Sequence, residues 1–206
     1  VKKRGLFITF EGTEGAGKST QIRKAAACLR RKGHSVLLLR EPGGTRISEA
    51  VRAIILNKDF GEMGHKTELL LYLAARAQIV NEKILPALRS GRAVICDRFE
   101  DSTLAYQGYG RGISLNEIRT VSRMMVRGEL MPDLTFVLDI PPAEGMKRGG
   151  RYDRMELQAL AFHNRVRRGF LDLAKKNPAR YRVIDARQDK QAVADQIREV
   201  LERALR

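Results

Sequence analysis

The residues with the clearest capacity for chemistry lie in "EGTEGAGKST", positions 11–20. Glycines at 12, 15 and 17 let the backbone turn so that several N–H groups point at one anion. Gly12, Thr13, Glu14, Gly15, Ala16, Gly17, Lys18, Ser19 and Thr20 cover the phosphate-binding pattern G-x-x-x-x-G-K-[ST]. In that pattern Lys18 supplies a point charge for the outer phosphates of a nucleotide and Ser19 a hydroxyl for Mg²⁺. The helix that follows adds the positive end of its dipole. The expectation is a site for ATP or GTP. A GTPase also needs a guanine-reading Asn-Lys-x-Asp after a strand. Asn57-Lys58-Asp59 lacks the spacer and follows a helical pattern, so it does not fill that role.

Three further groups carry functional side chains. Asp97-Arg98 ends the apolar run "AVICD", where a carboxylate holds Mg²⁺ through water and an arginine grips a second phosphate. Tyr72 and Arg76 are four apart on a helical stretch, so a flat ring and a planar donor fork share one face. "KRGGRYDR" (147–154) is short, glycine-containing and arginine-rich, and it reads as a lid closing over phosphates. It opens a basic cluster of Lys147, Arg148, Arg151, Arg154, Arg165, Arg167 and Arg168.

Five short apolar runs position these groups: 6–10, 36–40, 93–97, 134–140 and 182–186. Amphipathic stretches separate them, with apolar residues at helical spacing. Ile22, Ala25, Ala26 and Leu29 mark one helix, closed by Gly33, and 47–56 marks a second. A long helix is expected over 67–89, bent at Pro86. Ser114-x-x-Glu117 starts another by a capping box. Met155, Ala159, Phe162, Val166, Phe170 and Leu173 form a helical stripe, and Val193, Ile197, Val200 and Leu201 give the last helix. This alternation predicts an α/β fold, a five-stranded parallel sheet flanked by helices, as a single domain over 1–206. Ligands in such folds sit at the carboxyl ends of the strands. The segments to watch are therefore 11–20, 40–45, 97–98, Asp139 and 185–188.

Composition narrows the class. The chain has 206 residues, 43% hydrophobic and 31% charged, ordinary for a globular domain. No apolar run reaches the roughly 20 residues needed to span a bilayer, and "VKKRGLFITFEG" reads as a strand rather than a signal peptide. Cys28 and Cys96 are isolated in apolar surroundings, and His34, His65 and His163 are scattered. That argues for core thiols in a reducing compartment, with a cytoplasmic location, and against structural zinc. The net charge is +15. No aromatic-interleaved basic tract or basic tail accompanies it, so the charge fits phosphorylated substrates better than nucleic acid.

The chain resembles the bacterial thymidylate kinases, a family of P-loop nucleoside monophosphate kinases. The resemblance rests on "FEGTEGAGKST", "REPGGT" (40–45), "LLYLAARAQ" (70–78), "DRFEDSTLAYQG" (97–108), "PDLTFVLD" (132–139), "DRMEL" (153–157) and "RVIDA", in family order. It implies phosphoryl transfer from ATP to dTMP, dependence on Mg²⁺, the nucleoside monophosphate kinase fold with a short lid, and a homodimer. Carried onto this chain, it makes Lys18 the lysine on the transferred group and Asp97 and Ser19 the metal-side residues. Arg98 becomes the arginine on the dTMP phosphate, and Glu14 the loop acid facing the acceptor. Tyr72 looks like the ring stacked on thymine, and Arg76 the donor to its O4. Thr103 and Gln107 resemble polar groups near the base, and Tyr106 the tyrosine that disfavours a 2′-hydroxyl. Glu41 and Pro42 shape the acceptor loop.

Some members of that family place a catalytic arginine inside the phosphate loop. Thr13, Glu14, Gly15 and Ala16 include none, so the resemblance implies an arginine from the lid, either Arg148 or Arg151, with Arg151 favoured. The chain departs from the family in a lid a few residues shorter, in Phe99 where Tyr or His is usual, in Arg46 after "EPGGT", and in its basic surface. Two alternatives stand beside the dTMP reading. One is a kinase for another nucleoside monophosphate such as dUMP. The other is a P-loop regulatory module on nucleic acid.

Overall fold

A computed structural model describes residues 4–125, 130–148 and 153–205. Five strands form one sheet: β1 (Phe7–Glu11), β2 (Val36–Arg40), β3 (Ala93–Asp97), β4 (Leu134–Asp139) and β5 (Tyr181–Asp185). Each lies within a residue of its sequence-based position. The order is β2-β3-β1-β4-β5, and every pairing is parallel. The connections leaving β1 and β3 run toward opposite edges of the sheet, so the crevice above these neighbours is the switch point where ligands bind.

The period of two along β1 divides its side chains between two faces. Ile8 and Phe10 enter a core shared with Ala25, Ala26 and Leu29 of α1 (Lys18–Arg31) and with Val193, Ile197 and Leu201 of α9 (Lys190–Ala204). Phe7 faces the other way and meets Phe99 edge to face, with ring centroids 5.0 Å apart. Thr9 points the same way and bonds its hydroxyl to that of Thr135 at 2.8 Å, so this polar pair costs little to bury.

The stretch expected as one long helix is three pieces. α3 (His65–Ile79) passes into a π-helical turn at Val80–Ile84 and then into α4 (Leu85–Arg89). The break falls before Pro86, where the missing N–H and the ring both disrupt the helical ladder. The wider turn absorbs this by bonding the N–H of Leu85 to the carbonyl of Val80. A second π segment, Leu104–Gly110, continues α5 (Glu100–Thr103). Gly110 lets this segment approach closely, because a Cβ there would stand 2.6 Å from the Phe162 ring of α8 (Leu160–Lys176). Around these lie α2 (Arg46–Leu56), α6 (Leu115–Met125), which starts where Ser114 predicts, and α7 (Pro142–Arg148).

The helical stripe expected from Met155 begins only at Leu160. The Asp153 carboxylate accepts from the N–H groups of Met155 and Glu156 at 2.9 and 3.0 Å and holds a turn there instead. Met155 is nonetheless buried, against Phe162 and Val166.

Candidate active site

Burial and backbone conformation shape the phosphate loop. Gly12 has φ 130 and Gly15 φ 71, regions that disfavour a side chain. A Cβ would also stand 2.4 Å from the carbonyl of Leu138 at Gly12 and 1.9 Å from that of Gly145 at Gly15. The loop therefore lies directly against the end of β4 and against α7. Gly17 caps α1, whose first turn holds no acidic residue, so the positive helix end is left for an anion. Ala16 packs into the core, and Thr20 sits in the first turn of α1. The Lys18 ammonium is buried and folds back onto its own loop, donating to the carbonyls of Gly12 (3.0 Å) and Thr13 (2.9 Å). Burial, and then the Arg98 charge, bring its pKa down to about 8, against the pull of Asp97, Glu14 and Glu11.

A cleft of about 390 Å³ opens beside this loop. Glu14, Gly15, Lys18 and Ser19 form one wall, and Glu41 and Pro42 another. Tyr72 and Arg76 reach it from α3, Asp97 and Arg98 from the end of β3, and Thr103, Tyr106 and Gln107 from α5 and the π segment that follows. The structure thus gathers the sequence-predicted acceptor residues into one space. The remaining loop residues, Gly12, Thr13, Ala16, Gly17 and Thr20, build the loop beneath that wall.

Two arginine–carboxylate pairs organise the cleft. Arg98 donates to Glu14 Oε1 (3.0 Å), to the carbonyl of Gly12 (3.0 Å) and to Ser102 Oγ (3.2 Å). Its backbone has φ 69, a left-handed conformation that costs a non-glycine residue about 1–3 kcal/mol. Glu14 Oε1 also accepts from the Tyr106 hydroxyl at 2.6 Å, and His163 Nδ1 stands 3.5 Å from Oε2. Burial alone would raise the Glu14 pKa. His163, Arg98, Lys18 and Tyr106 outweigh it and hold the carboxyl well below the usual range. In the second pair, Arg76 Nε donates to Glu41 Oε2 at 2.7 Å, and both side chains are buried. Burial pushes the Glu41 carboxyl up to about 7 against the pull of Arg76. The Glu41–Pro42 peptide bond is cis. Phe99, expected only as a lost polar contact, is a platform: the Arg76 guanidinium stands 5.1 Å from its ring centroid.

Among the described residues, several buried polar atoms around the cleft have no hydrogen-bond partner: Thr13 Oγ1, Glu14 Oε2, Glu41 Oε1, Arg76 Nη1, Asp97 Oδ1 and His163 Nε2. Native structures rarely leave such atoms unsatisfied, so they are bonding capacity available to water or a ligand in the cleft. Asp97 Oδ1 and the exposed Ser19 hydroxyl are hard oxygen donors of the kind Mg²⁺ takes.

Three arginines of the basic cluster, Arg154, Arg165 and Arg167, bond protein acceptors. Arg154 donates from Nε to the carbonyl of Ile55 (2.8 Å) and sets Nη2 2.7 Å from Glu68 Oε2. Arg165 binds the carbonyl of Gly110, and Arg167 grips Asp139 through two bonds of 2.7 and 2.8 Å. The buried Arg154 and half-buried Arg167 thereby find the acceptors that a guanidinium out of water needs, and the exposed Arg165 ties α8 to the π segment. Arg148 ends α7 and donates to the carbonyl of Ala186 at 2.9 Å, outside the cleft lining. Arg151 lies outside the described residues. Asp139 and Asp185, both strand-end candidates, are engaged by Arg167 and Arg187.

Sequence reasoning placed Glu11 in a segment to watch but gave it no role, and gave none to Glu68, Ser102, Arg52 or His163. Glu11 ends β1 fully buried. It accepts from the N–H of Phe99 (2.8 Å) and bonds Ser102 Oγ (2.5 Å), bracing the turn that carries Arg98. Its signal was an acidic residue closing an apolar strand directly before the loop. Glu68 had a clearer one, since Glu68, Tyr72 and Arg76 are successive i, i+4 positions on one helix face. Arg52 lines the cleft and donates to the carbonyl of Pro42 at 2.8 Å.

A parallel sheet with a phosphate loop at its switch point, a strand-end Asp-Arg and an adjoining cleft defines a nucleoside monophosphate kinase of the P-loop class. More specifically, the chain belongs to the thymidylate kinase family, whose model matches residues 10–197. It is 47% identical to the thymidylate kinase of Bacillus licheniformis over 98% of this chain and 97% of that protein. With the thymidylate kinase of Pelotomaculum thermopropionicum it shares 51% identity over 89% of this chain and 86% of the relative. The crystal structure of thymidylate kinase from Ehrlichia chaffeensis superposes with a TM-score of 0.79 at 38% identity, covering 97% of this chain and 99% of that one.

Proposed function

We propose that this chain transfers the γ-phosphoryl group of ATP to dTMP, giving ADP and dTDP. The observation that carries the reading is the convergence of Lys18, Arg98, Tyr72 and Arg76 on one cleft beside the phosphate loop. Lys18 and the loop N–H groups hold the ATP phosphates, and Arg98 orients the dTMP phosphate for in-line attack on the γ-phosphorus. A phosphate dianion is already nucleophilic, so positioning and charge neutralisation supply most of the rate. Tyr72 stacks on the base, Arg76 donates to its edge, and Thr103, Gln107, Glu41 and Pro42 complete the base and acceptor walls. Tyr106 and Glu14 border the sugar side. Ser19 and Asp97 would hold Mg²⁺, which when bound neutralises charge on the transferring phosphates.

Arg151 is the favoured lid arginine, with Arg148 the other candidate. We read 1–206 as one catalytic domain, with 147–154 as its lid. We also read the chain as a cytoplasmic homodimer. Ile54 of α2, Leu70 of α3 and Met124 of α6 are exposed apolar residues on helices that pack side by side, which supports an interface there. Among the described residues, no helix is long and apolar enough to cross a membrane. The direct test is ADP release from ATP with a panel of dTMP, dUMP, dCMP, dGMP and AMP, with and without DNA. The proposal expects dTMP to lead the panel and DNA to change nothing. Release driven equally by a purine monophosphate overturns it.

A further inference from the structure

Glu68 is fully buried in the first turn of α3, one helical step below Tyr72 and two below Arg76. Its carboxylate is surrounded by donors. Oε1 accepts from Gln107 Nε2 at 2.9 Å and from Arg111 Nε at 3.1 Å. Oε2 accepts from Arg111 Nη2 at 3.0 Å, with Arg154 Nη2 2.7 Å away. Burial raises the pKa of this carboxyl, but the bonds to Arg111 and Gln107, the Arg111 charge and the bond to Arg154 outweigh it and lower the pKa overall. Glu68 is therefore ionised and offers no hydrogen to any neighbour.

An acceptor-only carboxylate fixes the ambiguous end of Gln107. A glutamine amide can present either its NH₂ or its carbonyl, and only the NH₂ can bond an ionised carboxylate. With Nε2 turned to Glu68, the carbonyl oxygen is the end of the Gln107 amide directed away from it, in a residue that lines the cleft. Arg76 offers the opposite character. Its Nε is taken by Glu41, and its buried Nη1 has no partner. The cleft thus presents one acceptor and one donor to a base edge. Thymine matches that pair with its N3–H and O4. Cytosine presents an N3 acceptor and an N4 amino donor and mismatches both.

We infer that Glu68 is a specificity-positioning residue: by locking the Gln107 amide with its carbonyl oxygen toward the acceptor base, it makes the cleft select a base edge with an N–H beside a carbonyl and reject cytosine. The inference rests on the thymidylate reading above. It concerns only the base edge, so it leaves thymine and uracil alike and assigns their separation to the methyl group. A site built to hydrogen-bond its substrate discriminates strongly, because a mismatched base leaves buried polar groups unpaired.

The test is the ratio of kcat/KM for dTMP to kcat/KM for dCMP. In Glu68→Gln the new side chain both donates and accepts, so Gln107 is free to turn over. We expect the ratio to fall by about tenfold or more. Arg111→Met keeps the Gln107 bond but removes the group that does most to keep Glu68 ionised, so it should lower the ratio by less than Glu68→Gln does. In a double-mutant cycle with Gln107→Met, the effect of Glu68→Gln on the ratio should vanish. An unchanged ratio in Glu68→Gln, or an undiminished effect of Glu68→Gln in the Gln107→Met background, overturns the inference. A measurement on the unsubstituted protein covers a variant that fails to fold: N3-methyl-dTMP should bind about tenfold or more weakly than dTMP, and equal affinity overturns the inference. Failure of the unsubstituted protein to phosphorylate dTMP would instead sink the thymidylate reading itself.

Discussion

The Asp101–Arg180 pair and the Glu14–Arg98 pair are both largely buried, and both join distant parts of the chain. They differ in which atoms remain without a partner. Asp101 is saturated. Its Oδ1 accepts from Arg180 (2.9 Å) and the Tyr181 hydroxyl (2.5 Å), and its Oδ2 from Arg180 (2.8 Å), with Thr135 Oγ1 at 3.5 Å. Only Arg180 Nε is unpartnered in that group. Glu14 Oε2 has only the long 3.5 Å approach of His163 Nδ1 among the described residues, and Glu14 faces an arginine held in a strained backbone conformation at the mouth of a cleft. The nearby Glu41–Arg76 pair leaves one atom on each partner. The same two chemical groups thus build structure where every carboxylate oxygen is engaged, and a binding site where bonding capacity is left over.

That contrast can be broken experimentally, starting with the largest effect. Arg180→Ala should strand the buried Asp101 charge and cost about 3–5 kcal/mol of stability in denaturant melts, with the KM for dTMP unchanged where the protein remains folded. A large rise in KM would erase the distinction between the pairs. Arg98→Ala should do the reverse, lowering turnover by roughly hundredfold, about 2.7 kcal/mol, with little change in unfolding midpoint. Arg76→Ala should raise the KM for dTMP by about tenfold or more while leaving that for ATP within about twofold; equal effects on both would remove its base-reading role.

The smallest effect concerns Glu11, which lies between the two pairs. Burial and the Asp101 charge push its pKa up to about 8 against the pull of Ser102, Arg98 and Phe99. The folded state therefore keeps a proton that the unfolded chain, with a carboxyl near 4.5, releases. Stability from this group is fully present below pH 4.5 and is lost as pH rises through about 8. Glu11→Gln cannot titrate and should flatten the decline in melting temperature between pH 5 and about 8. An identical slope in the variant would contradict the raised pKa.

The strands and the phosphate loop were legible because their signals are local. A run such as "AVICD" or the spacing of Gly12, Gly17 and Lys18 needs no partner to be recognised. Tyr72 and Arg76 were legible as a face of a helix. The supporting groups were not, because their meaning lies in contacts across long separations. Glu11 meets Ser102 after 91 residues, and Asp101 meets Arg180 after 79. The basic cluster hid its partners for the same reason: Arg154, Arg165 and Arg167 bond acceptors on α2, the π segment and β4 that lie far away in the sequence. Pro86 announced a break in the helix but not that a π turn would absorb it.

The central claim is that Arg98 holds the acceptor phosphate while Tyr72 and Arg76 hold the base. The most direct measurement is isothermal titration of dTMP and of thymidine into the unsubstituted protein and into Arg98→Ala. The phosphate should give dTMP a clear advantage over thymidine in the unsubstituted protein, and most of that advantage should disappear in Arg98→Ala, with thymidine affinity unchanged. A full phosphate advantage persisting in Arg98→Ala would contradict the account.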